Sequence, residues 1–165
     1  MISTSDTYTD EYEFISEGLT EEDAISNYND IVGLENYHIC GDVEEIIKVI
    51  RIPGVIDIGI DDIISTLSIT STNYVTVAEG IGPNRIPDAL TQAIEMLPGE
   101  IREISKMIVN IWTNTMFPVK ASELVAMNKY IGQRLTGVTL TWGVALDSEL
   151  NEDGKVKITL IAANK

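Results

Sequence analysis

Three aspartates lie close together in one short apolar stretch, and their type and spacing are suited to chemistry. Asp57 interrupts the apolar run 55–60, and Asp61 and Asp62 follow that run directly. Carboxylates gathered in a loop can act in trans on a nucleotide bound by a neighbouring subunit, or bind Mg²⁺ or Ca²⁺ through their oxygens. The alternative is structural, with Asp57 capping a short helix and the other two complementing its dipole.

A glycine-containing loop is the second candidate for chemistry. It has the sequence Gly80-Ile81-Gly82-Pro83-Asn84-Arg85 and precedes a predicted helix. Backbone amides at a helix N-terminus can bind a phosphate, so Gly80, Gly82, Asn84 and Arg85 are candidate nucleotide contacts. A tight turn between a strand and a helix explains the same residues without a ligand.

The remaining residues with reactive or stacking side chains are isolated. His38 and Cys40 make two potential zinc ligands, but the sequence contains no second pair, so we predict no metal site. Trp112 and Trp142 fall on predicted strands, which favours packing over stacking on a ligand. With one histidine, one cysteine and no Walker-type loop, the chain is predicted to need no cofactor.

Charge is distributed unevenly along the 165 residues. The formal net charge is -15, and residues 1–45 hold 13 of the 26 acids with no lysine or arginine. An acidic surface repels nucleic acid and anionic lipid, so neither is an expected partner. No apolar run approaches the ~20 residues of a membrane span, and the N-terminus is acidic. These features predict a cytoplasmic protein without a signal peptide or a membrane span.

The elements that would position these residues follow from hydrophobic periodicity. Residues 1–19 are predicted to be a flexible acidic arm, and residues 20–54 a helical segment with starts at Thr20 and Asp42. Within residues 55–165, a short helix over 60–68 precedes strands at 70–80, 106–112, 137–146 and 155–163, with helices at 86–97 and 122–135.

The order of these elements predicts an α+β domain. Its β-α-β-α-β-β order implies a mixed four-stranded sheet with helices packed on one face, preceded by helices. The strand over 106–112 is apolar on both faces and is expected inside the sheet. The last two strands are expected to pair as a hairpin across the turn at 151–154.

Several segments resemble FtsZ, the bacterial tubulin homologue. The stretch 141–163 is similar to the last two FtsZ strands, and the loop at 80–85 and the strand at 108–111 resemble the corresponding parts of the same domain. Upstream, Ile46-Ile47 before Pro53-Gly54-Val55 resembles the core helix leading into the catalytic loop. The resemblance implies the core helix and C-terminal domain of the FtsZ/tubulin superfamily, without the nucleotide-binding domain.

The resemblance also implies that the aspartate loop corresponds to the family's catalytic loop and that this loop lacks one of its acids. In the family, an Asn-x-Asp-x-x-Asp pattern polarises the water that attacks a nucleotide held by the neighbouring subunit. Here that pattern falls on Asp57, Gly59 and Asp62, with Asp61 as an extra acid one position away. The first acid of the pattern is thus a glycine, and the 165 residues contain no GGGTG-like phosphate loop. We therefore expect no independent GTPase activity.

Three hypotheses about function remain open at this point. The first is an interaction or assembly module of a division or cytoskeletal filament, with an FtsZ-like protein or further copies of itself as partner. The second is a small-molecule-binding or enzymatic homo-oligomer with a pocket between subunits, because a half-covered sheet favours closed symmetry. The third is one half of a split GTPase.

Overall fold

A computed structural model describes residues 33–52, 54–69, 72–98, 103–150 and 154–164. The predicted acidic arm at 1–19 and the predicted helix start at Thr20 lie outside these residues. Leu34–Asn36 forms a 3₁₀ turn. The elements that follow lie in one unit spanning Tyr37–Lys165: strands β1 Ile39–Cys40, β2 Asn73–Gly80, β3 Ile104–Thr113, β4 Thr139–Leu146 and β5 Val156–Asn164, and helices α1 Val43–Arg51, α2 Ile60–Leu67, α3 Arg85–Glu95 and α4 Ala121–Arg134.

The described strands form one mixed sheet in the order β1-β2-β5-β3-β4. Strand β5 runs antiparallel to both of its neighbours, pairing Gly80 with Val156 on one side and Thr113 with Val156 on the other. Strand β4 runs parallel to β3, and the short β1 runs parallel to β2. The C-terminal ends of β2, β3 and β4 therefore lie at one end of the sheet, which we call the loop end.

The sheet corrects two predictions. It has five strands among the described residues, not four, because Ile39 and Cys40 pair with the start of β2. The last two strands do not form a hairpin, since β5 inserts between β2 and β3 and leaves β4 at the edge. Burial explains this order: almost every residue of β5 is buried, whereas β4 is half exposed over its first four residues, and a strand covered on both faces belongs inside a sheet.

The crossover helices α3 and α4 pack on one face of the sheet, as predicted. Their apolar stripes meet alternate residues of β2, β3, β4 and β5, because side chains alternate between the two faces of a strand. A side-chain hydrogen bond adds to this packing, since the Thr76 hydroxyl donates to the carbonyl of Ala93 at 2.8 Å. The core residues on this face are Ala78, Ile86, Ala89, Leu90, Ala93, Met107, Val109, Ile111, Met127, Ile131, Val144, Val156, Ile158, Leu160 and Ala162.

The preceding helices cover the opposite face. Helix α1 contacts β2 and β5, and α2 contacts β3 and β5. Their buried residues Ile46, Ile47, Ile63 and Leu67 are at most 1% exposed, and a side chain of that size contributes roughly 1.5–3 kcal/mol when buried. The sheet is thus covered on both sides, which the element order alone did not predict. Among the described helices, none combines the length and apolarity of a bilayer-spanning segment.

Helix α1 begins where its sequence predicts. Asp42 is its N-cap, and its carboxylate accepts a hydrogen bond from the Glu44 amide at 3.0 Å. Glu45 occupies the position of a capping-box acid, but its carboxylate contacts β5. The helix ends at Arg51, with Ile52 as its C-cap, before Pro53-Gly54.

Candidate functional site

The aspartate loop is fixed to the free edge of β4. Ile56 and Val144 exchange two backbone hydrogen bonds, with N–H to oxygen distances of 3.1 and 2.9 Å. Two glycines permit this close approach. A Cβ at Gly54 would lie 2.7 Å from the Val144 oxygen, and one at Gly143 would lie 2.7 Å from Ile58 Cγ1 and 2.8 Å from the Ile56 oxygen. Residues 54–58 are therefore held against the β4 edge at one isolated bridge.

The loop exposes three apolar side chains and two carboxylates, since Ile56 is 38% exposed and Ile60 39%. Val55 is 73% exposed, and Asp57 and Asp61 are also exposed. Asp57 does not cap α2, whose N-cap is Gly59; it accepts a hydrogen bond from the Gly54 amide at 3.2 Å and so closes the loop. Asp61 and Asp62 lie in the first turn of α2, where they complement the helix dipole.

The loop carboxylates are spread along the loop and the first turn of α2. Within the ranges that the structure describes, no three histidine, cysteine, aspartate or glutamate side chains converge to hold an ion. What the geometry provides is a rigid loop with exposed carboxylates and an exposed valine. Such a loop is suited to contact with another protein, where the carboxylates can orient groups that the partner holds.

A buried polar network fastens α1 to the sheet next to this loop. The Glu45 carboxylate lies 3.4 Å from Lys157 Nζ and 3.5 Å from Lys48 Nζ. Thr159 donates to Glu45 at 3.5 Å and accepts from the Trp112 indole N–H at 2.9 Å, while Lys157 lies 5.4 Å above the Trp112 ring. Burial lowers the pKa of Lys48, but the charge and hydrogen bond of Glu45, with the charges of Glu149 and Asp147, together hold that pKa above its usual 10.5.

The sequence patterns did not reveal this network. Trp112 is a packing residue, as predicted, and is 1% exposed. Glu45, however, resembled a capping residue, and nothing local shows that a position in α1 faces Lys157 more than 100 residues later. The alternation of Lys157 and Thr159 with apolar neighbours in β5 was the available signal, because it places both side chains on one face.

In the glycine loop, the Arg85 side chain makes only structural contacts within the described part of the chain. Its side chain is buried, with a bidentate contact to Glu123 at 2.7 and 2.9 Å. It also donates to the carbonyl oxygens of Phe117, Pro118 and Gly154 at 3.1–3.2 Å. A guanidinium has five N–H groups, and these five bonds occupy them. Arg85 thus joins α3, α4 and the loops around them, and no donor remains for a phosphate.

The glycines of this loop serve the same junction. A Cβ at Gly80 would overlap the carbonyl oxygen of Arg85, so β2 and the start of α3 approach at a distance that only glycine permits. Gly82 has a φ of +92°, in the left-handed region that favours glycine. Both positions therefore have a structural explanation, while their role as nucleotide contacts stays a prediction.

Glu123 should make stability depend on pH. Burial alone raises the pKa of Glu123, but hydrogen bonds from Arg85 and the Lys120 amide, with the Arg85 charge, hold it below its usual 4.5. Folding therefore stabilises the ionised form of Glu123. The contribution of this carboxylate to the free energy of unfolding is present above pH 4.5 and disappears as the pH falls through the lowered pKa of the folded state.

We expect the difference in free energy of unfolding between wild type and Glu123→Gln to be largest near pH 7 and to shrink as the pH falls below 4.5. Urea denaturation at several pH values measures it. Glu149→Gln removes an exposed carboxylate that does not contact Arg85, so its loss at each pH gives the reference against which Glu123→Gln is compared. A wild-type advantage over Glu123→Gln that is the same at pH 3 and pH 7 would contradict the assignment.

A groove at the loop end was missed by the sequence patterns. It has a volume of about 520 Å³ and lies beside the starts of α3 and α4. Its exposed apolar side chains are Ile81 at 56%, Met116 at 77% and Phe117 at 41%. Lys120 lines it as well. Met116 and Phe117 carry no periodic pattern, since they lie in a connection between a strand and a helix.

Comparisons with known proteins agree with this geometry. The chain is 29% identical over 121 residues to the cell division protein FtsZ of Porphyromonas gingivalis. The aligned residues cover 72% of this chain and 26% of that protein. It superimposes on an empty FtsZ dimer structure from M. jannaschii with a TM-score of 0.60 and 16% identity, over 90% of this chain and 41% of that one. A single-substitution mutant of M. jannaschii FtsZ gives a TM-score of 0.61 at 14% identity, over 88% and 42%. No family model matches the sequence.

The chain thus spans about a quarter of the length of the curated relative, and about two fifths of the solved structures. The sequence similarity and the shared fold confirm the resemblance inferred from the residues. The observed mixed sheet with its crossover helices is the arrangement that the resemblance implied. This protein has an FtsZ/tubulin-like α+β fold and is similar in sequence to FtsZ.

Proposed function

We propose that this protein is an assembly module of an FtsZ-type division or cytoskeletal filament in the cytoplasm. In this proposal it binds a filament subunit through the loop at residues 54–62 and does not hydrolyse nucleotide by itself. The observation that carries the proposal is the loop: it is fixed to β4 by the Ile56–Val144 bridge yet exposes Val55, Asp57 and Asp61. A preordered loop loses little conformational entropy when it binds.

The residues of the loop support the same role. In the FtsZ family the matching loop contacts the neighbouring subunit, and here Asp57 and Asp62 stand at two of its three pattern positions. Gly59 stands at the third, where the family has an acid, and its backbone serves as the N-cap of α2. A loop that retains its contact surface but lacks one water-orienting acid favours a subunit that joins or caps a filament over one that supports turnover.

The proposal is tested with a filament-forming FtsZ and GTP. Adding this chain in excess should change the polymer mass measured by sedimentation and the rate of phosphate release, while the chain alone should release none. Unchanged polymer mass and turnover at saturating concentration would overturn the proposal. Phosphate release by a mixture of this chain with an FtsZ that is inactive by itself would favour the split-GTPase hypothesis instead.

Val55→Asp should weaken binding to the filament by at least about tenfold. The substitution places an unpaired carboxylate where the contact would remove water, and the effective penalty for burying an ion is several kcal/mol, more than the ~1.4 kcal/mol of a tenfold loss. The matched control is Met96→Asp, since Met96 is 58% exposed and lies at the opposite end of α3 from the loop end. Equal losses for both variants, with unchanged melting temperatures, would argue against the loop as the contact.

A further inference from the structure

Exposed apolar side chains are concentrated at the loop end. Of the ten large apolar residues that are exposed among the described residues, six lie there: Val55, Ile56, Ile81, Met116, Phe117 and Leu146. Single exposed apolar residues are ordinary on a protein surface, but a group of them rimmed by polar residues marks an interaction surface. The exposed apolar surface at this end therefore extends beyond the loop that the proposed function uses.

The loop end has two parts that differ in charge. The first is the loop itself, where Val55 is accompanied by the exposed carboxylates of Asp57 and Asp61. The second is the groove of Ile81, Met116 and Phe117, which is lined by the exposed Lys120. Among the described lining residues, Arg85 and Glu123 neutralise each other, and Lys120 adds one positive charge.

The N-termini of two helices lie beside the groove. Lys120 is the N-cap of α4, and an ammonium group has no atom that can accept a hydrogen bond from the helix amides. Asn84, the N-cap of α3, makes no side-chain cap bond either. The first turns of both helices already hold a carboxylate, Asp88 in α3 and Glu123 in α4, so the exposed Lys120 ammonium is the group here that attracts a partner's carboxylate.

We propose that the loop end pairs with the loop end of a second copy of this chain, in a two-fold dimer. The loop of each copy would enter the groove of the other, with Val55 against Met116 and Phe117 and Asp57 against Lys120. Both parts lie at the same end of one sheet, and in a two-fold pair each contact between loop and groove occurs twice.

The two-fold arrangement has a consequence for the proposed function. It uses the same loop, so a copy paired in this way covers the surface that would bind a filament subunit. The dimer would thus be a stored form and the monomer the active form. This part rests on the proposed function, whereas dimer formation itself does not.

The inference is tested by reciprocal charge reversal in the full chain. Sedimentation equilibrium in about 0.15 M salt, which shortens the Debye length to ~8 Å and screens the net charge of -15, should show a concentration-dependent rise from 18.1 kDa towards twice that mass. Lys120→Glu and Asp57→Lys should each weaken dimerisation about tenfold or more, and the double variant should restore it.

The controls separate this inference from structural effects and from the proposed function. Lys129→Glu changes an exposed charge elsewhere on α4 and should leave the mass unchanged. A mass that stays at 18.1 kDa at high concentration, or a dimer that tolerates both single reversals, would overturn the two-fold pairing. If such a monomer binds FtsZ filaments, the proposed function is still supported, because filament binding is measured with FtsZ and not by the mass of this chain.

Discussion

Replacing Arg85 with alanine should lower the free energy of unfolding by about 3–5 kcal/mol, the usual cost of removing one partner of a buried ion pair. Arg85 is 6% exposed, and its removal leaves the Glu123 carboxylate and three carbonyl oxygens without their donor. Since those groups belong to α4 and to the loops before α4 and β5, the whole loop end should loosen. Urea denaturation at pH 7 measures the loss.

Two further variants locate the source of this effect. Arg85→Lys keeps the charge but cannot form the bidentate contact, so its loss should fall between wild type and Arg85→Ala. Arg134→Ala removes an arginine whose guanidinium carbon lies 5.1 Å from the Tyr130 ring centre at the exposed end of α4, and should cost only about 0.5–1 kcal/mol. An Arg85→Ala loss no larger than that of Arg134→Ala would contradict the structural role.

Gly80→Ala and Gly132→Ala should change stability in opposite directions. A Cβ at Gly80 would overlap the Arg85 carbonyl oxygen and lie 2.9 Å from its carbon and 3.2 Å from Ala89 Cβ. Because those atoms belong to the backbone and to a tightly packed helix, relief requires moving α3 off the sheet. Overpacking of this kind costs about 1–3 kcal/mol or more.

Gly132 lies inside α4 in open space, with no atom within 4 Å of an added Cβ. Alanine there should stabilise the protein by about 0.8–1 kcal/mol, the difference in helix propensity between the two residues. Thermal unfolding of both variants provides the measurement. A stabilising Gly80→Ala would show that β2 and α3 do not approach as closely as the structure places them.

The elements of the fold could be predicted from local patterns. Asp42 marked the start of α1, Pro53-Gly54 marked its end, and the alternation of apolar residues placed the strands to within a few positions. These features depend on interactions within a few residues, such as a side chain accepting from a nearby amide. The order of the FtsZ-like segments added the resemblance, which sequence similarity and shared fold then confirmed.

Strand order could not be predicted in the same way. The turn at 151–154 favoured a β4–β5 hairpin. In the structure, β5 lies between β3 and β2 instead, and it pairs with β2 along eight residues. That choice depends on which strand gains more from having neighbours on both sides, and the answer is set by burial against helices far away in sequence. The two-residue β1 was missed because its only support is its pairing with Asn73 and Tyr74.

By itself, the sequence determined the identity and spacing of the loop carboxylates, the separation of the acidic first 45 residues from a nearly neutral body, and the run of helices and strands. Tertiary structure alone decided that the aspartate loop lies along the β4 edge, that Arg85 is a buried structural cation, and that Met116 and Phe117 line a groove. The physical reason is that charge and periodicity are properties of neighbouring residues, whereas burial and hydrogen-bond partners depend on which distant segments the sheet brings together.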